Sequence, residues 1–331
     1  MIQKVVIIGS GAWGMALALH LARENKCAVS LWSSRESTRV RLKFNRGNDL
    51  LLSGVVLPAK IEIAGSFLDA ISGAGLLVSC VPSAYLRESL RTIAGQLPEL
   101  LPVLSTTKGL ERESFLRPSQ TIMDVLGKRP VSILSGPSHA EEVAKGLPTS
   151  LALAGSDQNV NLEIQKLFNS ETFRVYTNDD VMGVELAGAL KNVIAIAAGI
   201  NDGLGYGDNS KAALITRGLV EMTRYGVASG ADAATFNGLA GLGDLIATCT
   251  SVHSRNRKVG ERLGRGEKLA DFLPTMPQIA EGIFTAPSIR EQAMRRSIDL
   301  PIIEQVFQVL QNGKNPRLAV QDLMNRAPRK E

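Results

Sequence analysis

The residue whose type and surroundings most suggest chemistry is Lys191, which lies within the aliphatic segment of residues 186–200. Burial among such side chains disfavours a charged ammonium, so a lysine there can exchange a proton near neutral pH, as a general acid or base must. A second lysine, Lys108, follows a predicted strand and would face a cleft at the carboxyl edge of the sheet, where α/β proteins bind ligands. The alternative for Lys191 is a side chain that extends from an otherwise buried helix to solvent.

Further polar groups follow Lys191 along the chain. Asp244 is the one acid in the small, apolar run 238–245, and its carboxylate could accept a substrate hydroxyl, pair with Lys191 or cap the next helix. The next polar run is typical of a helix start and consists of Ser254, Arg255, Asn256 and Arg257. Its side chains and backbone N–H groups together would bind a phosphate, unless the run is only a solvated helix start.

Six residues near the N-terminus form the pattern G-x-G-x-x-G between a predicted strand and a predicted helix. They are Gly9, Ser10, Gly11, Ala12, Trp13 and Gly14. Glycines at these positions allow a tight turn, close approach of a pyrophosphate to the backbone, and close packing of the helix on the strand. The N–H groups at the helix start would bind phosphate oxygens. The sequence therefore predicts a dinucleotide site, against the alternative of a glycine-rich turn that binds no ligand.

The end of the second predicted strand carries the residues that would select the cofactor. NAD sites usually have Asp or Glu there for the ribose 2′-hydroxyl, whereas this chain has Ser33, Ser34 and Arg35, with Glu36 slightly later. Hydroxyl groups and a guanidinium suit a 2′-phosphate, so the sequence favours NADP over NAD. The alternative is that Arg35 is only a solvated side chain.

A turn with further polar groups is predicted at residues 135–140, after another strand. Gly136 would expose backbone N–H groups, and Ser138 would present its hydroxyl at the same edge of the sheet. His139 could be the acid or base, but nothing nearby in the sequence orients its ring, so it ranks below Lys191.

Runs of β-branched and apolar residues without alternation predict strands that are covered on both faces. The predicted strands are residues 5–8, 28–32, 61–64, 76–81, 103–105, 131–135, 150–154 and 173–176. Helices are predicted over 12–24, 181–200, 210–226, 255–263, 286–296, 301–311 and 318–326. The fold class is therefore α/β: a Rossmann-type doubly wound parallel sheet that binds a dinucleotide, residues 1–178, and an all-α domain for substrate binding and catalysis, residues 179–331.

Composition excludes several functional classes. With 44% hydrophobic and 21% charged residues, the bulk of the chain is not disordered. The net charge of +5 comes from scattered basic residues and only 5% are aromatic, so anionic small molecules are expected as ligands rather than nucleic acid. The longest apolar stretch is short and contains Lys191, so no membrane span is predicted.

The cysteines and histidines outside these motifs are expected to be structural. The three cysteines, Cys27, Cys80 and Cys249, are far apart, which argues against a disulfide framework or a zinc site. Their number and spacing fit a reducing cytoplasm. The N-terminal sequence lacks the plan of a signal peptide, which fits the same compartment. Cys80 is expected to be a small buried residue. His20 and His253 are expected to be surface or capping residues. No cluster has the spacing of metal ligands, so no metal site is predicted.

Seven short motifs, in chain order, resemble those of the bacterial NAD(P)-dependent glycerol-3-phosphate dehydrogenases. They are residues 9–14, 107–110, 135–138, 191–193, 241–245, 254–257 and 280–282. One such motif is common, but seven in this order over nearly the whole chain are specific. The resemblance implies reversible reduction of dihydroxyacetone phosphate to sn-glycerol 3-phosphate with NAD(P)H. It also implies that this product supplies the backbone of phospholipids.

The resemblance also implies a role for each matched residue. Lys191 would be the acid/base that protonates the carbonyl oxygen during reduction. The residues that would contact the substrate are Lys108, Gly136, Ser138, Lys191, Asp244, Ser254, Arg255 and Asn256. Those that would contact the cofactor are Gly9, Ser10, Gly11, Ala12, Trp13, Gly14, Ser34, Arg35, Lys108, Ala140, Arg255, Ile279 and Glu281. Ala12 and Ser34 depart from the family pattern: some relatives have a hydroxyl residue at the first position, and a cofactor-selecting His or Arg is often found at the second.

Two other functions are compatible with the same motifs. One is another dehydrogenase with a Rossmann-type and an all-α domain, of the 3-hydroxyacid or 6-phosphogluconate kind. The other is a regulator that senses a dinucleotide without turnover, although such a protein would have no use for a lysine in an apolar helix. The polar run 254–257 favours a phosphorylated substrate, and the apolar content of the second half suggests a homodimer.

Overall fold

The computed structural model describes residues 2–276, 278–328 and 330 of the 331-residue chain. The chain forms two compact units, Met1–Glu185 and Leu186–Glu331. The division lies inside a long helix, whereas the sequence predicts a domain boundary at residue 178, where the strands end. The first turn of that helix belongs with the sheet because the Glu185 carboxylate accepts hydrogen bonds from the backbone N–H and the hydroxyl of Ser119, at 2.7 and 2.8 Å.

The first unit contains one eight-stranded sheet. In chain order its strands, β1 to β8, are Lys4–Ile8, Ala28–Trp32, Ile61–Ile63, Leu76–Ser79, Val103–Ser105, Val131–Ser135, Thr149–Gly155 and Phe173–Asn178. Their order across the sheet is β3-β2-β1-β4-β5-β6-β7-β8, and β1 to β6 are parallel. Strands β4, β5 and β6 are buried at every residue, which explains why their sequences do not alternate. The α/β class and the positions of the strands are confirmed.

The last two strands differ from the all-parallel sheet that the sequence predicted. Strand β7 pairs antiparallel with β6, and β8 runs parallel to β7. The connection between β6 and β7, residues 136–148, is about as short as a parallel crossover allows, and its one helix is only six residues long. The chain therefore enters β7 from the same edge of the sheet at which it left β6.

The helices of this unit cover the sheet. In chain order they are α1, Ala12–Glu24; α2, Glu36–Asn45; α3, Phe67–Ile71; α4, Ser83–Arg91; α5, Pro118–Leu126; α6, Ala140–Lys145; and α7, Gln158–Phe168. Helix α1 has the predicted bounds and is buried over residues 14–22, so it lies at the centre of the unit.

His20, on α1, is a core residue, and the expectation of a surface or capping role was wrong. Its side chain is buried, its Nε2 atom lies 2.7 Å from the carbonyl oxygen of Phe168, and its ring stacks on Phe173 with 4.3 Å between centroids. Burial lowers the pKa of this imidazole. A neutral aromatic ring that can hydrogen bond suits this position.

In the described part of the second unit, every regular element is a helix. The helices are α8, Val181–Gly203, which begins in the first unit; α9, Asp208–Ala228; α10, Ala233–Phe236; α11, Asp244–Thr250; α12, Arg255–Gly264; α13, Leu269–Phe272; α14, Gly282–Arg295; α15, Pro301–Asn312; and α16, Pro316–Met324. A π-helical turn, Leu239–Gly243, leads directly into α11. Helix α14 begins four residues before the predicted start at residue 286.

Helix α8 is, among the described residues, the one helix long and apolar enough to cross a membrane by length and composition. Inside the protein, however, 83% of its apolar window is buried. A helix that is apolar around its whole circumference is typical of a protein core as well as of a membrane. The burial of α8 therefore fits a helix in a protein core.

Candidate active site

The glycine-rich loop joins β1 to α1 with backbone contacts that exclude larger residues. Gly9 has a φ of +94°, and a Cβ there would lie 2.8 Å from the backbone of Cys80. A Cβ at Gly14 would lie 1.9 Å from the carbonyl oxygen of Gly9, so α1 packs directly on the loop. Gly11 is the N-cap of α1, and a Cβ on it would meet no atom within 4 Å. The space beside Gly11 is therefore open to a ligand.

This loop fits the pyrophosphate of a dinucleotide. The first turn of α1 has no acidic residue, and its N-cap has no side chain that competes for the N–H groups. Helix starts of this kind attract anions. The half-buried Ala12 and Trp13 are at the same turn and offer backbone N–H groups without a side-chain hydroxyl.

The turn after β2 carries two arginines. Ser34 and Arg35 are exposed, and the Arg35 guanidinium lies over the ring of Tyr85, 5.9 Å from its centroid. One helical turn later, Nη1 of Arg39 donates to the carbonyl oxygens of Ser33 and Ser34, at 2.7 and 3.1 Å. The turn is thus positively charged where a dinucleotide ribose is expected.

Lys108 follows β5, and its side chain is held by the loop that follows β6. Its Nζ donates to the carbonyl oxygen of Gly136 at 2.9 Å and lies 3.4 Å from Oγ of Ser138, whose hydroxyl donates to the same carbonyl at 2.8 Å. Gly136 has a φ of +137°, and a Cβ there would lie 3.0 Å from the side chain of Leu151. The three residues that the resemblance assigned to substrate in this unit form one hydrogen-bonded cluster.

Lys191 forms a buried ion pair in the second unit. Only 5% of its surface is exposed, and its Nζ lies 2.6 Å from Oδ1 of Asp244 and 2.6 Å from Oγ1 of Thr248. The alternative of a side chain that extends to solvent was therefore wrong. Asp244 is the first residue of α11, but the N-cap is Gly243. The Asp244 carboxylate therefore pairs with Lys191 rather than capping the helix, and its contact with a substrate hydroxyl stays a prediction.

The partners of Lys191 determine its charge and its direction. Burial disfavours an ammonium, whereas a carboxylate at hydrogen-bond distance favours it. An ammonium has three N–H donors, and Asp244 and Thr248 fix the direction of two. The Thr248 hydroxyl also donates to the carbonyl oxygen of Asp244 at 2.6 Å, so its oxygen is available as an acceptor for the lysine. A charged and oriented ammonium is what a proton donor to a carbonyl oxygen must be.

The polar run 254–257 forms the start of α12, as predicted. Ser254 is the N-cap, and its Oγ accepts the N–H of Arg257 at 3.2 Å. Arg255 is exposed, whereas Arg257 donates to Asp202 at 2.6 Å. The Arg257 guanidinium is therefore engaged by a carboxylate of the second unit.

Asn256 joins the start of α12 to two other helices. Its amide nitrogen donates to Oδ1 of Asn192, the residue after Lys191, at 2.8 Å. Its amide oxygen accepts the N–H of Gly282, at the start of α14, at 2.9 Å. The buried Asn256 thus fixes the position of the helix start relative to the segment of α8 that carries the lysine.

Family models match both parts of the chain. The model for the N-terminus of NAD-dependent glycerol-3-phosphate dehydrogenases matches residues 4–161, and the model for their C-terminus matches residues 180–321. The chain belongs to the NAD-dependent glycerol-3-phosphate dehydrogenase family. Membership confirms the resemblance seen in the sequence and the assignment to oxidoreductases that use NAD or NADP.

Relatives of similar length support this membership. The chain is 45% identical to a glycerol-3-phosphate dehydrogenase, NAD(P)+, of Geobacter metallireducens and 43% identical to one of Chlorobium limicola, with 99% of both chains covered in each case. A crystal structure of glycerol-3-phosphate dehydrogenase from Coxiella burnetii matches with a TM-score of 0.94 and 36% identity, over 98% of this chain and 99% of that one. A ketopantoate reductase from Ralstonia eutropha, with a TM-score of 0.60 and 18% identity, shares the fold alone.

The remaining residues matched to the family lie at helix starts. Ala140 is the first residue of α6, and Glu281 is the N-cap of α14. Ile279 precedes α14 and is half-buried, as is Ala140. His139 is the N-cap of α6 but makes no side-chain cap. The cofactor roles of these residues stay predictions.

The cysteines are poor nucleophiles. Burial raises the pKa of Cys80 to about 12 and that of Cys249 to about 12, so both are thiols rather than thiolates at neutral pH. Among the described residues, no group of His, Cys, Asp and Glu side chains could hold a metal ion.

Thr248 and Arg39 are two functional candidates that the sequence motifs do not include. Both contact a key residue or segment: Thr248 bonds to Lys191, and Arg39 bonds to the turn that holds Ser34. Each lies four residues after a residue that was singled out, Asp244 and Arg35 respectively. Asp244 and Thr248 are both on α11, where residues four apart share a helix face, so this spacing could have found Thr248. Arg35 is the N-cap of α2 rather than a helical residue, so the same signal does not extend to Arg39.

Proposed function

We propose that this chain catalyses the reversible reduction of dihydroxyacetone phosphate to sn-glycerol 3-phosphate, with Lys191 as the general acid/base and NADPH as the preferred reductant. The observation that supports the lysine most strongly is its buried bond network with Asp244 and Thr248. Such an ammonium can bind a carbonyl oxygen and protonate it as negative charge develops there.

The chemistry needs one hydride and one proton. When bound, a reduced nicotinamide supplies the hydride that the keto carbon accepts. Lys191 gives a proton to the oxygen on the same carbon, so that the ketone becomes a secondary alcohol and the lysine becomes neutral. In the reverse direction the neutral lysine accepts the hydroxyl proton. The Asp244 carboxylate favours the return of the ammonium form after each reduction.

The start of α12 is the proposed site for the substrate phosphate. Ser254, Arg255 and Asn256 belong to this helix start, where backbone N–H groups and a guanidinium suit a dianionic group. Binding at the phosphate, away from the reacting carbon, holds that carbon in position for the reaction. In the first unit, Lys108, Gly136 and Ser138 are the proposed substrate contacts.

The first unit is the proposed dinucleotide-binding domain. The glycine-rich loop would bind the pyrophosphate, and Ser34 with Arg35 would favour NADP over NAD because they suit a 2′-phosphate. The all-helical part would be the substrate-binding and catalytic domain. A cytoplasmic location, supported by three free cysteines, and a homodimer complete the proposal. The product would serve as the backbone of phospholipids.

The direct test follows nicotinamide absorbance in the purified protein with dihydroxyacetone phosphate, in parallel reactions with NADH and NADPH. We expect oxidation of both, faster at low concentration with NADPH. A 3-hydroxyacid and 6-phosphogluconate, offered with NAD+ or NADP+, are the controls for the other dehydrogenase classes. Turnover of either control without turnover of dihydroxyacetone phosphate would contradict the proposal.

A further inference from the structure

Arg39 organises the turn at which β2 ends. It lies on α2, whose N-cap is Arg35, four residues earlier in the chain. Its Nη1 atom bonds to the carbonyl oxygens of Ser33 and Ser34, and its guanidinium carbon lies 5.8 Å from the centroid of the Trp32 ring. One side chain thus contacts three consecutive residues of the turn.

The charge of this turn is positive and is not balanced by its own contacts. The hydrogen-bond partners of Arg39 in the described structure are carbonyl oxygens, which carry no full charge, and Arg35 lies over the ring of Tyr85 rather than beside an acid. Glu36 is the one acidic residue in the first turn of α2, and it is exposed. Two cations at one turn create a positive local potential, so an anion that binds there is favoured.

The fixed orientation of Arg39 suits a phosphate. A guanidinium has five N–H donors in one plane, and the two carbonyl bonds use only Nη1. The carbonyl bonds fix the plane, so little side-chain entropy is lost when its other donors bind an anion. Ser34, which is exposed beside Arg35, adds a hydroxyl at the same turn.

We propose that Arg39 is a specificity-determining residue that selects NADP over NAD. A phosphate on the ribose 2′-oxygen would accept hydrogen bonds from Arg39 and Arg35 and would balance their charges. NAD carries a hydroxyl there and would leave the two cations together without an anion. This inference rests on the proposed function, to which it adds a further residue that selects the cofactor.

The test measures binding of two nucleotide fragments to the full-length protein by calorimetry. The fragments, 2′,5′-ADP and 5′-AMP, differ only in the 2′-phosphate. In the wild type, 2′,5′-ADP should bind at least about tenfold more tightly. Arg39→Ala should weaken 2′,5′-ADP by about 10- to 100-fold and change 5′-AMP by less than about twofold. Arg41→Ala removes an exposed arginine of the same helix and should change neither.

A lysine variant separates charge from geometry. Arg39→Lys keeps the charge but lacks the planar set of donors, so its affinity for 2′,5′-ADP should lie between those of the wild type and Arg39→Ala. Equal binding of the two fragments by the wild type, or an equal loss of both in Arg39→Ala, would overturn the inference. A protein that reduces dihydroxyacetone phosphate with NADH but binds both fragments equally would keep the proposed reaction and the role of Lys191, and would lose the NADP preference together with this inference.

Discussion

The side chains around the Lys191 ammonium contribute in different ways. Asp244 supplies a full negative charge, whereas Thr248 supplies a hydrogen-bond acceptor without charge, and each lies 2.6 Å from Nζ. A buried charge that loses its partner is strongly disfavoured, whereas a lost neutral hydrogen bond costs less. Substitutions of the two residues should therefore separate the protonation of the lysine from its orientation.

Asp244→Asn should move the pH dependence of the reaction. Without the carboxylate, the lysine loses the negative charge that favours its ammonium form against burial, so the ammonium that reduction needs should be lost at lower pH than in the wild type. We expect kcat for reduction near neutral pH to fall by about 10- to 100-fold. The measurement is kcat against pH. Thr248→Val is the control and should lower kcat by less than about tenfold without moving the profile. Superimposable profiles for Asp244→Asn and wild type would contradict this role.

Arg255→Ala should chiefly weaken substrate binding. The exposed guanidinium at the start of α12 would lose its bond to the substrate phosphate, which is worth about 1.5–3 kcal/mol for a charged pair. KM for dihydroxyacetone phosphate should therefore rise by about 10- to 100-fold. Steady-state kinetics of Lys258→Ala, an exposed cation on the same helix, is the matched control and should give a KM near that of the wild type. An unchanged KM in Arg255→Ala would mean that the phosphate binds elsewhere.

At the scale of elements, glycines bring α8 and α12 into close contact. A Cβ at Gly199 would lie 1.9 Å from the carbonyl oxygen of Arg257, and one at Gly260 would lie 1.9 Å from that of Ile196. The two backbones approach more closely than any side chain would allow. This crossing positions the start of α12, with its candidate phosphate ligands, against the helix that carries Lys191.

Gly260→Ala should force the two helices apart. The added methyl group meets backbone, which cannot rotate away, so we expect the free energy of unfolding to fall by about 1–3 kcal/mol or more. Thermal and denaturant unfolding measure this. Gly207→Ala is the control in the same unit, because a Cβ there meets no atom within 4 Å and the backbone has no positive φ. It should cost about 1 kcal/mol at most. Equal stability of the two variants would contradict the close crossing.

At the scale of the whole molecule, the sequence predicts which segments are buried but not which segments they pack against. Runs such as residues 76–79 are buried on both faces, so composition alone identified them as strands. The direction of β7 depends on how the chain leaves β6, and the burial of His20 depends on Phe168 and Phe173, far along the chain. Local pattern indicates that a face is buried but not which segment covers it. For the same reason, pairing with Lys191 is only one of several roles that the sequence allows for Asp244. The folded structure shows the two side chains in contact.

Stability of the molecule should depend on pH through Glu221. Its buried carboxylate, on α9, accepts the N–H groups of Ile302 and Ile303 at the start of α15, at 2.7 and 3.2 Å. Burial raises the pKa of this carboxyl from its ordinary 4.5 to about 7. The folded chain thus binds this proton more tightly than the unfolded chain. Its contribution to the free energy of unfolding should therefore fall as pH rises from about 4.5 to about 7.

Glu221→Gln tests this dependence because glutamine keeps an oxygen acceptor but does not titrate. Relative to the variant, the wild type should lose about 1.4 kcal/mol of stability for each unit of the pKa shift as pH rises through this window. Urea unfolding at several pH values measures the difference. Glu171→Gln, at an exposed position, should follow the wild type. Parallel curves for the wild type and Glu221→Gln would contradict the shift.

The central claim is that the Lys191 ammonium gives its proton to the keto oxygen. Lys191→Met keeps an unbranched side chain in the buried site but removes the proton. Pre-steady-state turnover of dihydroxyacetone phosphate with NADPH should slow by about two to four orders of magnitude, while 2′,5′-ADP binds with wild-type affinity. A Lys191→Met protein that reduces the ketone at the wild-type rate would show that the proton comes from another group.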